Sequence, residues 1–317
     1  MTYPGRGGSH PSGSASHPLV SVIVPAYGHE RYISEALDSI VEDGYPNLEV
    51  VAIDDGSPDK TWDLIDAWRM AHAGRVGIIA LRQENMGLTR TLNRLLELAN
   101  GQYVALLTSD DRLRPDGIAH RVGFLGSNPR IAAVFGDCRV IDANGAVIAQ
   151  RGVGFGDPRR RVGLLRDPAR EIVSHWGVQG SVILFRRDAI RSMGGYSEDL
   201  MIEDWDLYLR LASEGRIAYV DRIVADYRWH GSNTVDSAER APDIANEMRH
   251  VAWRSRNLFH GHLRVELMHE SAAWAARSAG LRRRWAAWAV WKSVSIALKL
   301  LAMAVPYRAS GQRAGTE

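Results

Sequence analysis

With 317 residues and 45% hydrophobic side chains, the chain can bury one large core or two smaller ones, which excludes a disordered or fibrous protein. One cysteine, Cys138, excludes an internal disulfide, so nothing asks for an oxidising compartment and the chain reads as cytoplasmic. The net charge of +2 is unevenly spread: residues 271–316 hold eight Lys or Arg and no acid, leaving 31 basic and 36 acidic residues before them.

Residues 1–18 are rich in Gly, Ser, Pro and His without an apolar run, and read as a flexible leader rather than a secretory signal. From Leu19 onwards, β-branched runs alternate with amphipathic stretches. Strands are predicted at Leu19 to Pro25, Leu48 to Ile53, Val76 to Leu81 and Tyr103 to Leu107. Helices are predicted between them at Arg31 to Val41, Thr61 to Ala71 and Leu88 to Ala99. Successive β-α units predict an α/β fold, a mostly parallel sheet with helices on both faces. In such sheets ligands bind beyond the carboxyl ends of the strands. The residues there are Ala26 and Tyr27, Asp54 and Asp55, Arg82 to Asn85, and Ser109 to Asp111.

The second half is less regular. Strands are predicted at Ile131 to Phe135, Ser181 to Phe185 and Ile223 to Trp229, with a short helix at Asp204 to Ala212. The interval from Gly152 to His175 is basic, and two or three helices reach Pro306.

Three acidic motifs carry the chemistry. In VAIDDGS, Asp54 and Asp55 end a strand before a turn; either can cap that turn, and either can accept a nucleobase N–H. In YVALLTSDDRLRPD an apolar strand runs into Asp110 and Asp111, which repel unless a cation or strong donors offset them. A divalent ion shared with substrate phosphates is one such offset, and a solvated loop is the alternative. Glu203, Asp204 and Asp206 open a helix, where the dipole explains one or two acids but not three, so one is a candidate general base. His230 follows the last strand and becomes a metal candidate only if that turn faces Asp111.

Taken in order, VSVIVPAYGHERYISEALDSI, VVAIDDGSPDKT, QENMGLTRTLN, GQYVALLTSDDRLRPDGI, VILFRRDAIRSMGGYSEDLMIEDWDLYLRL and YRWHGSN resemble glycosyltransferase family 2 with its GT-A fold, over residues 19–235. The resemblance implies a Rossmann-like catalytic domain over 19–235, a C-terminal helical region over 236–308 and a tail over 309–317. It implies a nucleotide-sugar donor held by Pro25, Ala26, Tyr27 and Asp55 at the base, most often uracil or thymine in this family, by Asn85 and Gly87 beside it, and by Asp110 at the ribose or ion. It places a divalent cation, Mg²⁺ or Mn²⁺, on Asp111 and His230, and makes Asp204 the base that deprotonates an acceptor hydroxyl. The implied reaction is an inverting transfer to a saccharide or lipid-linked acceptor in cell-surface polysaccharide or glycolipid synthesis. Many relatives carry an acid where this chain has Thr108, which implies more reliance on His230 for the metal and keeps open a noncatalytic sugar-nucleotide or glycan-binding module. A nucleotidyltransferase fits less well, because its Gly-rich, basic phosphate loop after the first strand is absent.

In the tail, Arg282, Arg283 and Arg284 precede Trp285 to Val305, whose charges are Lys292 and Lys299, seven residues apart and nearly in line on a helix. The length suffices to cross a bilayer, but two lysines on one stripe and tryptophans at one end fit a helix lying among lipid headgroups. The expected partner of residues 282–305 is therefore a membrane surface, at the inner face of the cell membrane, with docking on the domain or on a second copy in a homo-oligomer as the alternative. Nucleic acid is not expected, since the arginines are few and no nucleic-acid motif appears.

Overall fold

The computed structural model describes residues 17–153, 157–175, 177, 179–231 and 238–307. The first half alternates as its periodicity predicts: β1 (Val20–Ala26), α1 (Ile33–Glu42), β2 (Leu48–Asp54), α2 (Thr61–Ala71), β3 (Gly77–Arg82), α3 (Leu88–Leu98) and β4 (Tyr103–Leu106). The chain continues with β5 (Arg112–Leu113), α4 (Gly117–Ser127), β6 (Ala133–Ile141), β7 (Val147–Ala149), α5 (Arg159–Arg166) and α6 (Pro168–Ser174). It then forms β8 (Ile183–Arg186), α7 (Arg187–Ser192), α8 (Asp204–Ser213) and β9 (Ile217–Arg228). Three further helices are α9 (Ala241–Ser255), α10 (Gly261–Leu281) and α11 (Trp285–Ala304).

Among the described residues the strands form one sheet in the order β3-β2-β1-β4-β8-β6-β9-β5, with β7 on β6. β3, β2, β1 and β4 are mutually parallel, β8 runs against β4 and β6, and β9 runs parallel to β6. Two reversals through β8 point β6 and β9 the same way as β4. The carboxyl ends of β1, β2, β4, β6 and β9 therefore share one edge.

Strand alternation divides the apolar residues between the two faces. Ile23, Val51, Val104 and Leu106 pack with α3 and α8 on one face, while Val22, Val24, Val50 and Ala105 pack with α1, α2 and α4 on the other. Each such fully buried side chain contributes about 1.5–3 kcal/mol, so strand register is strongly held. The first face extends into α9 and α10 through Ile244, Met248, Val251 and Leu267, so the C-terminal helices share a core with the sheet.

The second half departs from the sequence pattern where charges enter strands. β6 continues past Phe135 to Ile141 because Asp137 accepts the N–H groups of Cys138, Gly152 and Val153 at one oxygen and meets Arg151 at the other. β9 begins at Ile217 rather than Ile223, carrying Asp221 and Arg222 on exposed positions. Within the basic interval, Pro168 at the first turn and Asp167, whose Oδ1 accepts the Arg170 N–H (3.0 Å), start α6.

Candidate active site at the carboxyl edge of the sheet

After β1 the chain turns through Tyr27 and Gly28, and the Gly28 N–H donates to Ser57 Oγ (3.0 Å) in the loop after β2. The next residue, His29, donates its backbone N–H to Thr61 Oγ1 (2.9 Å), which fixes its ring over the end of β4. There His29 Nδ1 lies 2.7 Å from Ser109 Oγ, and His29 Nε2 lies 4.0 Å from Asp110 Oδ2. From the far side, at the end of β9, His230 Nε2 approaches the same carboxylate oxygen to 3.0 Å. The ligand atoms of His29, Asp110 and His230 all lie within 4.8 Å of one another.

Burial pushes the Asp110 carboxyl up; the hydrogen bond with His230 and the charges of His29 and His230 outweigh it, so its pKa lies below the ordinary value. The ring of Tyr32 stacks on His230 with centroids 5.2 Å apart and meets His29 edge-on, while the Arg228 guanidinium carbon lies 4.7 Å from the centroid of the Tyr32 ring. An aromatic wall thus holds both imidazoles.

Asp111, expected on the cation, accepts three hydrogen bonds from the protein. Thr108 Oγ1 and Ser181 Oγ donate to its Oδ2 (2.7 and 2.6 Å), and the backbone N–H of Arg228 donates to its Oδ1 (2.8 Å). Burial and the neighbouring Asp110 charge raise its pKa to about 7 despite these donors. The carboxylate turned towards His230 is Asp110. Thr108, standing where a further acid was the family expectation, spends its hydroxyl on holding Asp111.

The residues expected around the nucleotide gather beside this group. Pro25 and Ala26 are buried at the end of β1, and Tyr27 is exposed just beyond. The Asp55 N–H donates to the Ala26 carbonyl (2.8 Å). Asp55 Oδ1 accepts from Gln83 Nε2 (2.7 Å) and the Met86 N–H (2.9 Å), and Oδ2 accepts the Gly87 N–H (3.0 Å). Asp55 therefore orders the loop into α3. Gly56 is required there: its φ is +76°, and a Cβ would come within 2.8 Å of the Asn85 nitrogen. Gly87, at φ +86°, makes the matching turn into α3, and Asn85 is exposed between them.

A separate acidic cluster heads α8. Asp206 is absorbed by structure, since Ser197 Oγ, Arg210 and Arg254 all bind its carboxylate. Asp204 opens the helix, accepting the Trp205 N–H at Oδ1 (2.6 Å), and Trp205 Nε1 anchors the turn to the Ile172 carbonyl in α6 (2.8 Å). Glu203 beside it is pushed up to about 8 by burial and by the Asp204 charge.

Sequence reasoning did not single out His29, Tyr32, Ser181 or Arg228. His29 had a local signal, an imidazole in the loop after a buried strand, whereas Ser181 and Arg228 reach Asp111 only through tertiary folding.

Residues 21–194 match the pattern of the family described as "Glycosyl transferase family 2". The chain belongs to that family. Similar proteins include the chondroitin synthase of Escherichia coli, 29% identical over 68% of this chain and 30% of the relative. An uncharacterized glycosyltransferase of Haemophilus influenzae is 29% identical over 68% of this chain and 67% of its own length. The hyaluronan synthase of Pasteurella multocida is 26% identical over 68% of this chain and 21% of the relative, so this chain spans well under half the length of the named synthases. Among solved structures, the mannosyltransferase PcManGT of Pyrobaculum calidifontis, in complex with GDP-Man and Mn²⁺, superposes with a TM-score of 0.60. It is 22% identical, with 92% of this chain and 87% of that one covered. TarS of S. aureus in complex with UDP-GlcNAc gives a TM-score of 0.62 at 20% identity, covering 82% and 72%. These likenesses establish the GT-A-like α/β fold with its C-terminal helices.

Proposed function

We propose that this family 2 glycosyltransferase is an inverting enzyme that moves a sugar from a UDP- or dTDP-linked donor to a hydroxyl of a saccharide or lipid-linked acceptor, in cell-surface polysaccharide or glycolipid synthesis. The observation that carries this reading is the convergence of Asp110, His29 and His230 at the carboxyl edge of the sheet. One carboxylate and two imidazoles suit a transition-metal ion such as Mn²⁺ better than Mg²⁺, which prefers oxygen ligands throughout; the remaining ligands would come from a diphosphate. When bound, such an ion stabilises negative charge on the leaving diphosphate. The complexes of PcManGT with GDP-Man and Mn²⁺ and of TarS with UDP-GlcNAc support the donor class.

In this reading Asp110, rather than Asp111, is the protein's carboxylate ligand, with His230 and His29 as imidazole ligands. Pro25, Ala26 and Tyr27 line the base pocket. Asp55 Oδ2, with the Gly87 N–H as its donor among the described residues, has a lone pair left for a ring N–H of uracil or thymine. Asp204 takes the proton of the acceptor hydroxyl as that oxygen bonds to the anomeric carbon and the bond to the diphosphate breaks, which inverts the anomeric configuration. Glu203, with its pKa near 8, keeps its own proton at neutral pH, so the neighbouring pair need not hold two charges. We place the reaction at the inner face of a membrane, reached through residues 282–305.

Titrating the purified protein with UDP-, dTDP- and GDP-sugars, with and without Mn²⁺, followed by turnover assays, tests the reading. Failure to bind any nucleotide in a metal-dependent way overturns it. Asp204→Asn should lower transfer by roughly 10²- to 10⁴-fold while donor affinity holds; equal loss of both would make Asp204 a binding or folding residue. A noncatalytic binding module is the second reading, favoured by Thr108, and normal nucleotide binding without hydrolysis or transfer would select it.

A further inference from the structure

α10 and α11 pack along one another, and the seam between them is polar. Glu266, 2% exposed, meets the Lys299 ammonium and lies 3.9 Å from His262 Nε2. His262 Nδ1 lies 2.7 Å from the Ala302 carbonyl and His269 Nδ1 lies 2.8 Å from that of Ser295. α11 thus turns polar groups inward and leaves an apolar arc outside, with Val290, Ile296, Leu300 and Met303 exposed by 62, 53, 63 and 75%. By length and composition α11 is a candidate membrane span. Crossing would strip Lys299 from Glu266 and carry Lys292 and Lys299 into hydrocarbon, which is costly. Lying flat, about 30 Å long, keeps every seam contact and covers the apolar arc.

Arginines stand at both ends of this arc. Arg283 and Arg284 precede α11 and make no ion pair among the described residues. At the other end Lys299 and Met303 line a cavity of about 550 Å³ walled by α5, α6 and α10. Most of its carboxylate oxygens have internal donors: Glu171 is held by Arg160 (3.2 Å) and His175 (3.1 Å), Glu266 by Lys299, and Asp167 Oδ1 by the Arg170 N–H, while Asp167 Oδ2 is buried without a donor among the described residues. Arg166 and Arg170 also line it, without a carboxylate partner among the described residues, and the Arg170 guanidinium rests 4.8 Å from the Tyr307 ring centroid.

We propose that α11 lies flat on an anionic lipid surface with its apolar arc among the acyl chains, and that this cavity seats a lipid headgroup phosphate between Arg166 and Arg170. The proposal rests on the membrane location given above and specifies how the protein sits there. Charge decides the occupant. A second copy paired through this arc would bring further arginines against these, whereas lipid phosphates complement both ends.

The test is co-sedimentation of the full chain with phosphatidylcholine vesicles, with and without phosphatidylglycerol, with the melting temperature of each variant checked first. Wild type should bind the anionic vesicles. Arg166→Ser with Arg170→Ser should weaken that binding roughly twenty-fivefold, at about fivefold per arginine. Leu300→Glu with Met303→Glu should remove it. Arg166→Lys with Arg170→Lys should still lose severalfold, because lysine keeps the charge but not the paired donors. Wild-type binding that ignores the serine pair overturns the headgroup seat but leaves the membrane location. No binding to anionic vesicles, with a dimer by light scattering, overturns both and gives the arc to a second copy. A melting temperature raised by inorganic phosphate in wild type alone, with vesicle affinity equal in both, gives the cavity to a free anion and overturns the seat.

Discussion

The α10–α11 seam sets His262 and Lys299 against the buried carboxylate of Glu266, whereas the strand edge sets His29 and His230 against Asp110. Both places bury an acid beside imidazole. In the seam the protein supplies its own ammonium, so the negative charge is balanced internally and the group lies between two helices. At the edge, Asp110 has no Lys or Arg ion pair among the described residues, and its partners are groups that also bind metals. A buried acid with its own cation closes an interface; one faced by imidazoles at a strand edge suits the cation proposed above. The same composition in sequence therefore divides into a structural and a chemical use.

Three variants can break or sharpen that contrast. The largest effect is expected for Asp110→Asn, which should weaken Mn²⁺-dependent donor binding by roughly a hundredfold or more while the fold persists. A chelator should mimic this in wild type and change little in the variant, both read by calorimetry; full donor affinity in Asp110→Asn would dissolve the distinction. Next, Lys299→Met should destabilise by about 1–3 kcal/mol, less than a fully buried pair because Lys299 is half exposed. Adding Glu266→Gln should restore most of the loss, and a denaturation cycle showing no coupling would remove Lys299 from the seam.

The smallest effect concerns pH. Burial, with the Glu266 charge adding, pushes the Glu270 carboxyl from about 4.5 up to about 7. The folded protein keeps a proton that the unfolded chain releases in that window. This group's contribution is full below pH 4.5, falls as pH rises, and is gone above pH 7. Glu270→Gln should flatten that fall and gain about 2 kcal/mol or less at pH 8. Parallel pH profiles for variant and wild type would count against the assignment.

The first four strands and the helices between them were legible to within a residue or two, because β1, β2 and β4, buried on both faces, leave a continuous apolar signal and the half-buried edge strand β3 still carries Ile78, Ile79 and Leu81. β5 was not, since two residues carry no period, and α4 escaped because Gly117, Gly123 and Gly126 interrupt its pattern. β9 was legible only from Ile223, because Asp221 and Arg222 lie in a bulge where the pairing with β6 jumps from Phe135↔Tyr219 to Asp137↔Ile223 and both side chains are exposed. At the site, the motif Ser109-Asp110-Asp111 drew attention to this turn but could not say which carboxylate faces His230. That depends on Ser181 and the Arg228 N–H, which lie 70 and 117 residues along the chain from Asp111.

The clasp between Asp111 and β9 limits how far the site tolerates misalignment. Asp111 takes the Arg228 N–H while the Arg228 Nε–H donates to the Asp110 carbonyl (2.7 Å), two bonds between the same two segments. Sliding β9 by one residue would break both and carry His230 about 3.3 Å along the strand. That displacement exceeds the 3.0 Å separating His230 from Asp110. Asp111 thus serves as a register stop, so in the proposed reading, with Asp110 as the carboxylate ligand, damage there should reach the cation as a misfit of spacing.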